Sequence, residues 1–184
     1  DVLYKEIENL KNQQFYLSGV MIQKKNGHIN FDCGQTYNDF DEQKLLNNYT
    51  KINCYDQQGS HFAPHLVSKE LWYKVNGFSE EFNPGIASDP DFNMKLWNCG
   101  VRIFKGLSNF KVYHFASVTT RKKINFTQNK GERTFLKKWG FSTKFFKKYY
   151  LKTNTEYKDK LNDPNKNLFY YFELFICRIK LIFT

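Results

Sequence analysis

Between Phe15 and Phe115, short β-prone runs alternate with helical segments that open on a capping Asp or Ser and mostly close on a glycine. The runs are Phe15–Ile22, Ile29–Cys33, Phe62–Val67, Val101–Phe104 and Phe110–Phe115, each rich in β-branched and aromatic residues. Asp41 precedes a helical segment at 42–49, and Ser68 precedes one at 69–75 with Gly77 as its stop. Asp89-Pro90-Asp91 opens a third, which runs to Asn98 before Gly100. An earlier segment, Val2–Leu10, has apolar residues near helical spacing. This order predicts a mixed α/β fold with one core extending to about residue 118. With 184 residues there is little room for two domains, and 18% aromatic residues supply enough ring surface for a substantial core. No heptad, glycine period or fixed-length repeat supports a coiled coil, collagen or solenoid.

Charge divides the chain where this pattern ends. Residues 1–120 hold 12 basic and 13 acidic side chains, whereas residues 121–184 hold 16 and 5. The second stretch is expected to be a basic helical extension, with helices at 132–139, 142–151 and from Asn167 onward, after a polar loop at 119–131. An excess of this sign points to phosphate groups of a substrate, a lipid headgroup surface or nucleic acid. A solvated lysine-rich face explains it equally well. The segment Asn167–Phe183 is apolar nearly all round, broken by Glu173, Arg178 and Lys180, and shorter than the ~20 apolar residues of a spanning helix. An interfacial helix, a truncated membrane helix and a helix packed on the core all fit it.

Cys33, Cys54, Cys99 and Cys177 are far apart in sequence, which removes zinc-ribbon and thioredoxin-type motifs and predicts a reduced, cytoplasmic protein with free thiols. Gly-x-Gly-x-x-Gly, Walker and Gly-x-Ser-x-Gly patterns are absent, so dinucleotide oxidoreductases, P-loop enzymes and α/β-hydrolases lose their main support. His61 and His65 are four apart, but Pro64 between them argues against a helix that would bring both to one metal.

The stretch with chemical content runs through Asn76-Gly77-Phe78-Ser79-Glu80, Ser88-Asp89-Pro90-Asp91 with Lys95, Gly100-Val101-Arg102-Ile103, and Val112-Tyr113-His114-Phe115. Asp89 and Asp91 fall at a helix N-terminus, where free N–H groups favour ionised carboxylates. A cap and a first-turn acid explain both without any function. Together, however, these motifs resemble the C-terminal half of a family 2 glycosyltransferase of the GT-A fold, over roughly Phe15 to Tyr150. Arg133–Gly140 is similar to the aromatic and basic segment that follows the core of such enzymes.

The resemblance implies an inverting transfer of sugar from a nucleotide-diphosphate sugar to an acceptor hydroxyl on a glycan, lipid or protein. Asp89 matches the catalytic base, and His114 a residue near the divalent metal, Mn or Mg, or the donor diphosphate. Asp91, Gly59, Ser60 and His61 match acceptor-side positions, and Lys138 and Trp139 donor-side ones. Ser88 stands where the family carries an acid. The nucleotide-binding half and the Asp-x-Asp metal motif do not match residues here, since Asp39-Phe40-Asp41 follows two strands. The expectation is therefore a chain that starts beyond that motif and, alone, binds donor poorly and is inactive. Association with an anionic membrane surface is expected of the tail, and nucleic acid is not an expected partner. A basic nucleic-acid-binding module and an inactive glycosyltransferase-like scaffold are the alternatives.

Overall fold

A computed structural model describes residues 2–115 and 124–183. They form a mixed α/β structure with a curled sheet. Strand β1 (Phe15–Gln23) lies at its centre and is buried along its whole length after Phe15. Along one edge it pairs in parallel with β5 (Ile103–Tyr113), which pairs antiparallel with β3 (Gln57–Gln58) on its far side. Along its other edge β1 meets two short strands. Antiparallel β4 (His65–Leu66) pairs with Leu17 and Ser18, and β2 (Ile29–Asn30) pairs in parallel with Ile22 and Gln23.

In the sheet, the two expected strands at 101–104 and 110–115 merge and the one at 62–67 shortens. The runs at 101–104 and 110–115 form one strand, because residues 108–110 are accommodated as a bulge where the register with β1 shifts between Gly19 and Val20. β1 and β2 are neighbouring strands paired in parallel. Residues 24–28 loop back over the strand end, and His28 Nδ1 accepts the Met21 N–H at 3.0 Å. Gly27 is needed there, since a Cβ would lie 2.9 Å from the carbonyl oxygens of Met21 and Ile29. The expected strand at 62–67 shortens to β4.

Two of the helices follow their expected caps, whereas the helix that carries Asp89 starts one residue earlier, at Ser88, following Ala87 at φ +66° and with no side-chain cap, so that Asp89 lies in the first turn. In α2 (Glu42–Tyr49) the Asp41 side chain accepts from the Lys44 N–H, and in α3 (Lys69–Lys74) Ser68 accepts from Leu71. Helix α1 is Val2–Asn9 and α4 is Ser88–Asn98. Beyond residue 120, α5 (Ile124–Trp139) begins earlier than the expected 132, occupying part of the predicted loop. Residues 119–123 of that loop lie outside the described residues. Helix α6 (Thr143–Phe146) runs into one π-helical turn at Lys147–Leu151, and Asn167 caps α7 (Leu168–Ile182) through the Tyr170 N–H.

The basic stretch is not an appendage. Phe135, Phe141, Phe145, Phe146, Leu151, Tyr170 and Cys177 belong to the same buried cluster as Tyr16, Phe92, Trp97 and Phe104. Aromatic rings connect the layers in sequence. Phe104 of the sheet stacks on Trp97 of α4 at 6.1 Å, Trp97 meets Tyr150 edge-on at 5.3 Å, and the Tyr150 and Tyr170 hydroxyls stand 3.3 Å apart. Rings of this size each bury a large apolar area and prefer tilted or offset contacts, so helices from both halves of the sequence settle on one sheet.

Candidate active site

Helix α4 carries Asp89 and Asp91 two residues apart, hence about 200° apart around the axis, on opposite faces. The two carboxylates consequently have different environments. Asp91 is 0% exposed. It accepts from Ser79 Oγ at 2.7 Å and Trp139 Nε1 at 2.9 Å, and is paired with Lys138 Nζ at 3.0 Å and Lys95 Nζ at 4.0 Å. Lys95 also donates to the Gly77 carbonyl and to Ser79 Oγ. The turn at 76–80, α4 and the end of α5 thus meet at one buried carboxylate. Burial opposes the Lys138 cation, but its bonds to Glu81 and Asp91 outweigh this and hold the ammonium above its ordinary value.

This arrangement commits the polar groups of Asp91, Lys138 and Trp139 to one another and to Glu81. The Asp91 carboxylate is wholly enclosed by these protein partners, and Lys138 and Trp139 direct their polar groups at Asp91 and Glu81. Arg102, from the Gly-x-Arg-Ile motif, is likewise structural. It donates to the last carbonyls of α4 at Trp97, 2.8 Å, and stacks 4.0 Å over the Trp97 ring.

Asp89 lies on the other face, in a setting built from four segments. Asn93, one turn along α4, donates to the Asp89 carbonyl at 2.9 Å and to the His61 carbonyl at 3.4 Å, joining the helix to the 59–64 loop. Tyr16 of β1 donates to the Phe62 carbonyl at 3.4 Å, and Lys147 Nζ lies 5.8 Å over the Phe62 ring. Burial pushes the Asp89 carboxyl up to about 6, with the Lys147 charge working against the rise. Lys147 is itself lowered by burial, against the charges of Glu132 and Asp89. Tyr16 is raised by burial and further by the Asp89 charge. His61 is held down to about 3 by burial, with the Lys147 charge adding to the effect. It is therefore neutral at physiological pH, and its Nε2 is buried without a hydrogen-bond partner among the described residues.

The 59–64 loop owes its path to Gly59 and Ser60. Gly59 sits at φ +64°, donates to the Phe104 carbonyl at 2.8 Å and packs so closely on Leu151 that no side chain fits. Ser60 Oγ is buried against Ser18 Oγ of β1. Gly59 and Ser60, expected on the acceptor side, anchor the loop, and His61 is linked to Asp89 through Asn93, which bridges their backbone carbonyls. Ser88, in the family's acidic position, donates to the Gly85 carbonyl at 2.6 Å.

His114 follows β5, with its backbone N–H donating to the Ile22 carbonyl at 2.9 Å and its ring exposed. Among the described residues no group of three or more His, Cys, Asp or Glu side chains is placed to hold a metal ion. Lys147, Asn93 and Tyr16 were not legible as site residues. Lys147 reads in sequence as one of many surface lysines, and only the π-helical turn brings it to Asp89. In comparisons with known proteins, no family model, curated sequence or solved structure matches the chain.

Different substitutions separate the two carboxylates. Asp91→Asn removes the buried charge that the partly exposed Lys138 and Lys95 ammoniums face, and should cost about 2 kcal/mol in urea unfolding. Asp89 behaves oppositely. Because its carboxyl is raised in the folded state from 3.8 to about 6, the folded protein binds the proton more tightly than the unfolded chain. Stability from this group is present below pH ~4 and lost as pH rises through 6. Asp89→Asn should remove that decline, measured as denaturation midpoints across pH 4–7, and leave the protein at least as stable at pH 7.

Proposed function

We propose that this chain carries the acceptor-side half of an inverting, nucleotide-sugar-dependent glycosyltransferase of the GT-A, family 2 type, with Asp89 as the general base. The observation that carries the reading is the environment of Asp89. A carboxylate raised toward neutrality accepts a proton more readily than an ordinary surface carboxylate, and catalysis of this kind is most efficient when the pKa lies near the working pH. The motif series around it adds support, because the turn at 76–80 and Lys95 are the groups that orient α4 through Asp91.

In the proposed step, Asp89 takes the proton of the acceptor hydroxyl while that oxygen forms its bond to the anomeric carbon of the donor sugar. The bond from that carbon to the diphosphate breaks, and the diphosphate leaves with the electron pair. One displacement inverts the centre and needs no covalent enzyme intermediate, so a single base suffices. Lys147 keeps enough of Asp89 ionised to act, and buried His61 with Phe62 shapes one wall and limits water. No step here is routed through a metal.

Transfer assays with the full polypeptide carrying these residues, against a panel of nucleotide sugars, test the reading. Asp89→Asn should lower kcat by about 10²-fold or more with donor affinity nearly unchanged. Lys147→Gln should move the acid limb of the pH–rate profile upward, because the cation that favours ionised Asp89 is gone. Turnover of Asp89→Asn within a few-fold of wild type would overturn the assignment.

A further inference from the structure

Helix α7 turns its polar-poor side outward. Tyr170 and Cys177 are buried against the core, with Leu174 and Leu181 packed partly beside them. On the opposite side Leu168 is 82% exposed, Phe172 60%, Phe175 60%, Ile179 37% and Ile182 79%. These five recur at spacings of 4, 3, 4 and 3 residues and form one continuous stripe. Tyr171 and Phe183 widen it, and half of the large apolar side chains exposed among the described residues lie between Leu168 and Phe183. An exposed apolar patch of this extent on a folded protein marks a surface that is covered in use.

Charge around the stripe identifies what covers it. Arg178 and Lys180 flank it on its two sides, Lys166 precedes its N-terminal end, and Lys137 and Lys144 are exposed on the neighbouring α5 and α6. The one acid of α7, Glu173, is already paired with Lys148. A second copy seated on the stripe would set one cation-rich face against another, with Glu132 the exposed acid beside Ile179 and Phe183. The stripe also lasts only two heptads, short of what a stable coiled-coil seam requires. Spanning is excluded for α7 by length, since 15 residues rise about 22 Å against a hydrocarbon core of about 30 Å. No helix among the described residues is long and apolar enough to cross a membrane.

We propose that the outward face of α7 lies flat on an anionic lipid surface, with its Phe, Ile and Leu side chains in the headgroup–acyl boundary and the flanking cations among the lipid phosphates and carboxylates. Aromatic and aliphatic rows bordered by Lys and Arg bind in this manner, by apolar burial assisted by electrostatic attraction. The inference is independent of the transferase reading, because it uses no residue of the Asp89 site.

Co-sedimentation of the full chain with phosphatidylcholine vesicles, with and without phosphatidylserine, at low and high salt tests it. Wild type should partition to the anionic vesicles and be released as salt rises. Phe172→Ser with Phe175→Ser should weaken that binding about tenfold or more, while circular dichroism in solution stays unchanged because both rings are exposed. Lys166→Gln with Arg178→Gln should remove the preference for anionic lipid and leave the fold intact. Equal partitioning into neutral and anionic vesicles, or binding unaffected by either variant, would overturn the proposal. So would a dimer in sedimentation velocity that the aromatic variant abolishes, which would assign the face to a second copy.

Discussion

A fully buried carboxylate, Asp91, holds the two halves of this chain in one arrangement. Its partners come from the 76–80 turn, from α4 itself and from the end of α5, so the ion pairs form only when all three are in place. Buried pairs add little net stability compared with an apolar replacement, since desolvation offsets the Coulomb gain. What they supply here is registry. With Lys138 and Trp139 held at Asp91, Phe135 and Phe146 pack with Phe141 and Tyr150, the π-helical turn sets Tyr150 edge-on to Trp97, and the same turn brings Lys147 to the opposite face of α4.

The consequence for chemistry is a division of labour along one helix. Two carboxylates separated by a single proline face away from each other, one neutralised by two lysines and a tryptophan N–H, the other desolvated with one cation nearby. The first is fixed in place and unavailable to a ligand. The second keeps a high proton affinity and a path to the 59–64 loop, whose own position depends on Gly59 and on the Ser18–Ser60 contact. Electrostatics of Asp89 thus depend on packing far along the sequence, and the segments that sequence reading assigns to a basic extension complete the site.

Much of this was legible from local chemistry. Asp41, Ser68 and Asn167 cap helices as their residue types predict, and α4 spans the residues that Asp89-Pro90-Asp91 and Gly100 delimit. Long-range features were not. The polar Lys105–Asn109 stretch reads as a break between strands, yet a bulge opposite Gly19 carries β5 straight through it. Lysines are the clearest case, because Lys137, Lys138, Lys147 and Lys148 look alike in sequence. The fold exposes Lys137 and Lys148, pairs Lys138 with Asp91 and buries much of Lys147 near Asp89. Motif spacing marks Asp89 and Asp91 together as functional, whereas helix geometry separates them into a carboxyl of raised proton affinity and one tied down by its partners.

The central claim is that α4 presents one carboxylate of raised proton affinity beside one that is tied down. Carboxyl-carbon NMR titration of the folded protein, with Asp89→Asn to assign the resonance, measures it directly. The account predicts an Asp89 midpoint close to pH 6 that moves further upward in Lys147→Gln. A midpoint near the ordinary aspartate value of about 3.9, unchanged by removal of Lys147, would contradict it.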